Sequence, residues 1–208
     1  MKVSNHIPCV YVSIANFNLF CSRTRGWAPR GGKARAIFAS SSGSNIHIVG
    51  AMSEHGMVSY SVKRGSFTKI SCQEWLRTML DGLVESRRKK VVVVCDNAPC
   101  HSDLEAVFRE PEYTGGRLLR LAPYSPALNP IEGIWSLVKS HVKRSMRAKQ
   151  PTILAGDPHG LISQREWRLR CIEEIAADAK ATATVTACRN MIEHVRSIYP
   201  VVINKNDI

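Results

Sequence analysis

Five consecutive apolar residues, Val91 to Cys95, are followed directly by Asp96. The run shows no alternation between apolar and polar positions, which is typical of a strand that is buried on both faces of a parallel sheet. Such a sheet needs helices on its faces, so the run predicts an α/β protein. Because ligand sites in α/β sheets gather at the carboxyl ends of parallel strands, Asp96 is a candidate functional residue.

The remaining patterns predict a mixed sheet flanked by helices, with two helices at the C-terminus. The three segments that follow the first strand are expected to form an antiparallel meander, with Val58, Tyr60 and Val62 on one face. The predicted elements are strands at 9–14, 34–39, 46–52 and 57–63, a helix at 72–86, a strand at 91–95, a short helix near 101–109, a strand at 117–122, a long helix at 130–148, a connection at 150–163 and two amphipathic helices. The apolar stripes of these last two helices contain Trp167, Cys171, Ile172 and Ile175, and Val185, Cys188, Ile192 and Val195.

The chain is strongly basic, with a net charge of +12 from 29 Lys and Arg against 17 Asp and Glu. A field of this sign favours polyanionic partners, nucleic acid first and acidic membrane surfaces second. No apolar run is long enough for a transmembrane helix, so we expect no membrane partner. The seven cysteines are an odd number and form no CxxC pair, which indicates reduced thiols in an intracellular compartment.

A second carboxylate, Glu132, stands at the start of the long predicted helix. Asn129 and Pro130 fit a helix start in which Asn129 caps the helix and Glu132 occupies the third position, and this structural role alone would explain them. The helix carries an apolar stripe of Ile131, Ile134, Trp135, Val138 and Val142, and a separate stripe of Glu132, Ser136, Lys139, Lys143 and Arg147. The second stripe indicates either a metal ligand beside a track of phosphate contacts or a solvated charged face.

Two carboxylates on separate rigid elements are what a divalent-metal phosphoryl-transfer site requires. Asp96 followed by Asn97 is by itself a common strand-to-turn pair. His101, four residues further on, is either a group that supports the site or a helix-start histidine with no chemical role.

Three ordered motifs resemble blocks of the mariner-type transposases of the DDE superfamily. Asp96-Asn-Ala-Pro-Cys-His101 is similar to the second acidic block of that family, and Pro123-Tyr-Ser-Pro-Ala-Leu-Asn-Pro-Ile-Glu132-Gly-Ile-Trp135 is similar to the third. Arg23-Thr-Arg-Gly-Trp-Ala-Pro-Arg-Gly31 resembles the segment that follows the first block. The resemblance covers roughly residues 9–145 and implies a ribonuclease-H-like fold that cuts and joins DNA strands with two Mg²⁺ ions.

The resemblance also implies roles for individual residues. It implies that Asp96 and Glu132 are catalytic ligands of Mg²⁺, for which Mn²⁺ can substitute, and that Asn97, His101 and Asn129 support them. It implies DNA as the partner and no small-molecule substrate. The expected DNA contacts are Arg25, Arg30 and Lys33 in the basic loop and Lys139, Lys143 and Arg147 on the long helix. It leaves a homodimer open and implies a nuclear location in a eukaryote.

The first acidic block departs from the family pattern. Counting back from Arg23 places the first acid at Ser13, and residues 1–53 contain neither Asp nor Glu. A neutral hydroxyl does not replace a carboxylate that bridges two cations, so we expect an incomplete metal site. Glu54 falls in a turn after the segment 46–52, where we expect it to be far from the site.

We expect residues 1–149 to form the catalytic domain and residues 150–208 to form a linker and a helical extension of it. Family members carry helix-turn-helix modules before this domain, whereas the first strand here begins about ten residues after Met1, so we expect a detached catalytic domain. Two functions stay open: a transposase-derived endonuclease, and a non-catalytic DNA-binding or assembly module. An unrelated RNA-binding protein would need exposed aromatic residues on strands, whereas most aromatic residues here are predicted to be core.

Overall fold

A computed structural model describes residues 8–17, 29–32 and 45–204 of the chain. The strands within these ranges are β1 (Cys9–Phe17), β2 (Ile46–Ser53), β3 (Gly56–Arg64), β4 (Val92–Cys95) and β5 (Arg117–Arg120). They form one five-stranded sheet in the order β3-β2-β1-β4-β5. The strand predicted at 34–39 lies outside the described residues.

The central strand β1 joins an antiparallel half of the sheet to a parallel half. β2 pairs antiparallel with β1 and with β3, and β4 pairs parallel with both β1 and β5. The apolar run at 91–95 is therefore a buried parallel strand, as its lack of alternation predicted. This mixed sheet, covered by helices on both faces, confirms the predicted fold class.

The helices divide between the two faces of the sheet. Their bounds are α1 (Lys69–Asp81), α2 (Glu85–Arg88), α3 (Ile131–Ala148), α4 (Gln150–Ala155), α5 (Gln164–Asp178) and α6 (Val185–Asn204). One face packs on α1 and includes Val10 and Val12, whereas the other packs on α3, α5 and α6 and includes Tyr11 and Ala15. Because side chains alternate along a strand, Ser13 points toward α3. Among the described helices, none has the length and apolar character needed to cross a bilayer.

The helix predicted at 72–86 is in fact two helices. α1 begins after Thr68, whose hydroxyl accepts a hydrogen bond from the Ser71 backbone N–H at 3.2 Å, and it ends at Gly82. The short α2 follows as a separate turn. The short helix predicted near 101–109 is replaced by two 3₁₀ segments, Pro99–His101 and Leu104–Arg109, and the connection predicted at 150–163 contains α4.

A β-bulge in β3 reverses one predicted face. The pairing of β2 with β3 shifts register between Ala51 and Met52, which leaves Val58 as an extra residue. Val58 therefore packs on the α1 face, while Tyr60 and Val62 pack on the α3 face. The prediction that all three side chains share a face was wrong because alternation restarts after the bulge.

The two C-terminal helices bury most of their predicted stripes. The buried members are Cys171, Ile172, Ile175, Cys188, Ile192 and Val195. Trp167 is half-buried, and Val185, the first residue of α6, is exposed, contrary to prediction. Both helices pack against the same core as α3, so they hold α3 against the sheet.

The helix α3 approaches the sheet most closely at Gly50 on β2. Gly50 pairs across the sheet with Ser13, and a Cβ atom added to Gly50 would lie 2.6 Å from Cη2 of Trp135. The Trp135 side chain is fully enclosed, at 1% exposure, so it has little room to move away. Because Gly50 has no side chain, the first turns of α3 can pack close to β1 and β2.

We predict that Gly50→Ala lowers the free energy of unfolding by about 1–3 kcal/mol, because the added methyl group forces the Trp135 ring out of its packed position. Denaturant unfolding followed by circular dichroism measures this loss. Gly82→Ala is the matched control, because its added Cβ would meet only ordinary contacts, the nearest at 3.4 Å. An equal loss in both variants would show that the contact with Trp135 is not the cause.

Candidate active site and nucleic-acid interface

Ser13 lies in the middle of β1, and Asp96 directly follows the parallel neighbour β4. Tyr11 pairs with Val94, and continuing this register by two residues places Ser13 level with Asp96. Tyr11 packs on the α3 face, so the alternation of side chains directs Ser13 to the same face. Ser13, which occupies the position of the family's first acid, is therefore level with Asp96. Its neutral side chain is 2% exposed.

Glu132 extends from the first turn of α3 toward the same point. The Ser13 hydroxyl donates a hydrogen bond to Glu132 Oε1 at 2.6 Å, across 119 residues of sequence. The capping role that was one alternative for this helix start is not observed, because no side chain caps α3. Asn129 instead donates from Nδ2 to the Val12 backbone carbonyl at 3.1 Å, which ties the start of α3 to β1.

The Asp96 carboxylate is held by two donors. Its Oδ1 lies 2.5 Å from His101 Nδ1 and accepts a hydrogen bond from the Ala98 backbone N–H at 3.0 Å. The hydrogen bond from the imidazole lowers the pKa of Asp96 below its usual value, so the carboxylate is ionised at neutral pH. His101 is completely buried and contacts Asp96 directly, and its supporting role stays a prediction.

Arg120, at the end of β5, is a neighbour of the site that the motifs did not predict. Its guanidinium forms an ion pair with Glu105 at 2.6 Å and donates to the His101 backbone carbonyl at 2.8 Å. Asn97 donates from Nδ2 to the Leu121 backbone carbonyl at 2.7 Å, which joins the segments that follow β4 and β5. The sequence signal that could have identified Arg120 was a cation at the end of β5, the strand that neighbours β4.

The donor set does not fit a pair of Mg²⁺ ions. The described residues contain no cluster of three or more His, Cys, Asp or Glu side chains that could hold a metal. Ser13 supplies no negative charge, and its proton is directed at a Glu132 oxygen that would otherwise face a cation. One oxygen of Asp96 is already occupied by His101 and Ala98. Among the described residues, Asp96 and Glu132 therefore remain as carboxylates, and the neutral Ser13 adds no third one that could bridge a pair of cations.

Glu54 does not supply the missing charge. It lies in the turn between β2 and β3, beyond Met52, which pairs with Tyr11. This turn is near the amino end of β1, whereas Ser13 is the middle residue of that strand. Glu54 also forms ion pairs with His55 at 3.7 Å and with Arg196 at 3.8 Å. The expectation that it lies away from the site agrees with this register.

The second stripe of α3 forms an exposed cationic surface. Lys143 and Arg147 are exposed and Lys139 is half-buried, while all five residues of the apolar stripe are buried as predicted. Within the described part of the chain, these three cations form no ion pair. Arg30 is exposed as well, whereas Arg25 and Lys33 lie outside the described residues. We call Lys139, Lys143 and Arg147 the α3 cationic stripe.

Solved structures of the Mos1 mariner transposase resemble the chain in fold. Its paired-end complex with Mg has a TM-score of 0.54 at 18% identity, over 92% of this chain and 54% of that one. The paired-end complex with the left transposon end has a TM-score of 0.53 at 15% identity, over 90% and 57%. The paired-end complex with Mn has a TM-score of 0.51 at 18% identity, over 86% and 55%. The chain thus spans little more than half the length of these transposase chains, and identities this low show the fold alone.

Sequence comparison gives the family. No curated protein matches the chain. A family model described as DDE superfamily endonuclease matches residues 9–153, which is well over half of the 208 residues. The matched region runs from β1 into α4 and so contains Ser13, Asp96 and Glu132. The chain belongs to the DDE superfamily endonucleases.

Proposed function

We propose that this chain is a DNA-binding domain descended from a mariner-type transposase, and that its metal-dependent cleavage of DNA is strongly impaired. Its family and the fold it has in common with Mos1 complexes that contain transposon-end DNA support the DNA partner. Its positive charge and the α3 cationic stripe support binding through phosphates rather than through base edges.

The hydrogen bond from Ser13 to Glu132 carries the proposal of impaired cleavage. In two-metal phosphoryl transfer, paired cations activate the attacking oxygen and stabilise the leaving oxygen, and carboxylates between them offset their charge. A serine hydroxyl next to Asp96 offers no such charge. It also gives one oxygen of Glu132 a hydrogen-bond donor without any cation.

The α3 cationic stripe carries the proposal of DNA binding. From Glu132 to Arg147 the helix rises about 22 Å, enough to follow several phosphates of one DNA strand. No acidic residue follows Glu132 in α3. The helix therefore supplies no intrahelical counter-charge, and phosphate is the anion that these side chains are free to contact.

A weak endonuclease is the second candidate function, and the state of Asp96 favours it. The Asp96 carboxylate is ionised and partly exposed. It follows the parallel strand β4, which pairs with the strand that bears Ser13, the hydrogen-bond partner of Glu132. One cation held by Asp96 and Glu132 would polarise a phosphate oxygen, although it would not replace a bridged pair.

A homodimer remains a prediction of the resemblance, and sedimentation velocity with and without DNA would test it. We propose an intracellular location in the compartment that holds DNA, which is the nucleus in a eukaryote.

We predict that the native chain does not nick supercoiled plasmid in Mg²⁺ or Mn²⁺ above the level of an EDTA control, and that Ser13→Asp does. The added carboxylate would stand beside Asp96 and restore the charge that two cations require. Agarose-gel densitometry of the nicked form gives the rate. Ser13→Ala is the matched control, because it removes the hydroxyl without adding charge, and it should remain inactive.

Adding Asp96→Asn to the Ser13→Asp variant should abolish nicking, since the restored site needs both carboxylates. Nicking by the native chain that disappears in Asp96→Asn would contradict the proposal and establish the second candidate function.

We predict that Lys143→Ala combined with Arg147→Ala weakens binding to any duplex about tenfold at low salt. It should also reduce the salt dependence of log K by roughly one unit for each cation that contacts a phosphate. Fluorescence anisotropy over a salt series measures both effects. Lys89→Ala is a control, because Lys89 is an exposed lysine before the amino end of β4, away from the site. An unchanged salt slope in the double variant would mean that the stripe is only a solvated face.

A further inference from the structure

The segment between β5 and α3 contains a large aromatic side chain, Tyr124, that does not pack into the core. Tyr124 is completely exposed, and its hydroxyl and ring make no contact that would explain a tyrosine at this position within the described part of the chain. Tyrosine and tryptophan are enriched at interfaces, where a partner covers the ring.

The backbone of Tyr124 is also unfavourable. Its φ of 57° lies in the left-handed region, which asparagine, aspartate and glycine adopt more readily than an aromatic residue. Proline residues at 123 and 126 flank it and restrict the chain on both sides. Backbone strain of this kind persists where the surrounding structure enforces it, and such positions cluster at functional sites.

The segment is anchored to the site at both ends. At its start, the Leu121 backbone N–H donates to the Cys95 carbonyl at 2.9 Å, and the Leu121 carbonyl accepts from Asn97, next to Asp96. At its end, Asn129 binds the Val12 carbonyl, next to Ser13. The segment that presents the Tyr124 ring to solvent therefore connects the strand beside Asp96 to the helix that bears Glu132.

We propose that Tyr124 stacks on an unpaired base of DNA bound at this site. This inference rests on the proposed function, and it adds the form of DNA that the site takes. Bases inside a duplex are covered on both faces by their neighbours, and a blunt end exposes only one face of a rigid base pair. A ring therefore finds a base that it can orient freely only at an overhang or a frayed end. The α3 cationic stripe, which follows directly on the same chain, would hold the adjoining duplex by its phosphates.

The test compares two DNA ligands that have the same duplex length, one blunt and one with a short single-stranded overhang. We expect the native chain to bind the overhang ligand about tenfold more tightly, and Tyr124→Ala to remove this preference while it leaves binding to the blunt ligand unchanged. Tyr124→Phe and Tyr124→Trp should keep the preference, because stacking needs the ring and not the hydroxyl. Leu161→Ala, a change at another strongly exposed apolar side chain, should keep it as well.

A second measurement reports stacking itself. With 2-aminopurine in the overhang, binding of the native chain should quench the fluorescence of the probe, and binding of Tyr124→Ala should not. Tyr124→Asn should unfold at a temperature no lower than that of the native chain, since asparagine tolerates the left-handed backbone, yet it should also lose the overhang preference. This separates a binding role from a structural one.

The outcomes distinguish the two proposals. Equal native affinity for both ligands, or a preference that persists in Tyr124→Ala, would overturn the role of Tyr124 and leave the α3 cationic stripe as the DNA-binding surface. If the native chain binds neither ligand, the proposed function itself fails, and the role of Tyr124 fails with it.

Discussion

The packing of Trp135 over Gly50 is the contact on which the site depends. α3 can approach β1 and β2 closely because position 50 has no side chain, and the enclosed indole ring then fixes the depth of the helix. That depth places Glu132 within hydrogen-bond distance of Ser13, the residue paired with Gly50. The packing of the hydrophobic core and the geometry of the polar site therefore have one common cause.

The chemistry of the site follows from the charge at one position. A carboxylate at position 13 would stand against Glu132 and beside Asp96, and three acids at such separations repel one another unless cations lie between them. The serine hydroxyl carries no charge, so it avoids this repulsion and donates a short hydrogen bond to Glu132. The same change that stabilises the site without a cation removes a ligand that two cations would need. The scaffold and the cationic surface of α3 are independent of this position, so the proposed binding of DNA does not require the metal site.

Local patterns in the sequence predicted the parallel strand after Lys90 and the apolar stripe of α3, because both are set by burial along one element. Features that depend on partners distant in sequence were not predictable in this way. The bulge at Val58 arises from pairing between β2 and β3, and Asn129 binds the carbonyl of Val12 instead of capping its own helix. Asp96 and Glu132 were proposed as a pair from their places at a strand end and a helix start and from the resemblance, whereas the contact between Ser13 and Glu132 became visible only in three dimensions.

The most direct test of this account is a calorimetric titration of Mn²⁺ into the native chain and into Ser13→Asp, each with and without Asp96→Asn. We expect no saturable binding to the native chain at millimolar Mn²⁺, and saturable binding to Ser13→Asp that is lost when Asp96 is neutralised. Tight Mn²⁺ binding to the native chain that requires Asp96 would contradict it, because it would show that the serine at position 13 leaves a working metal site.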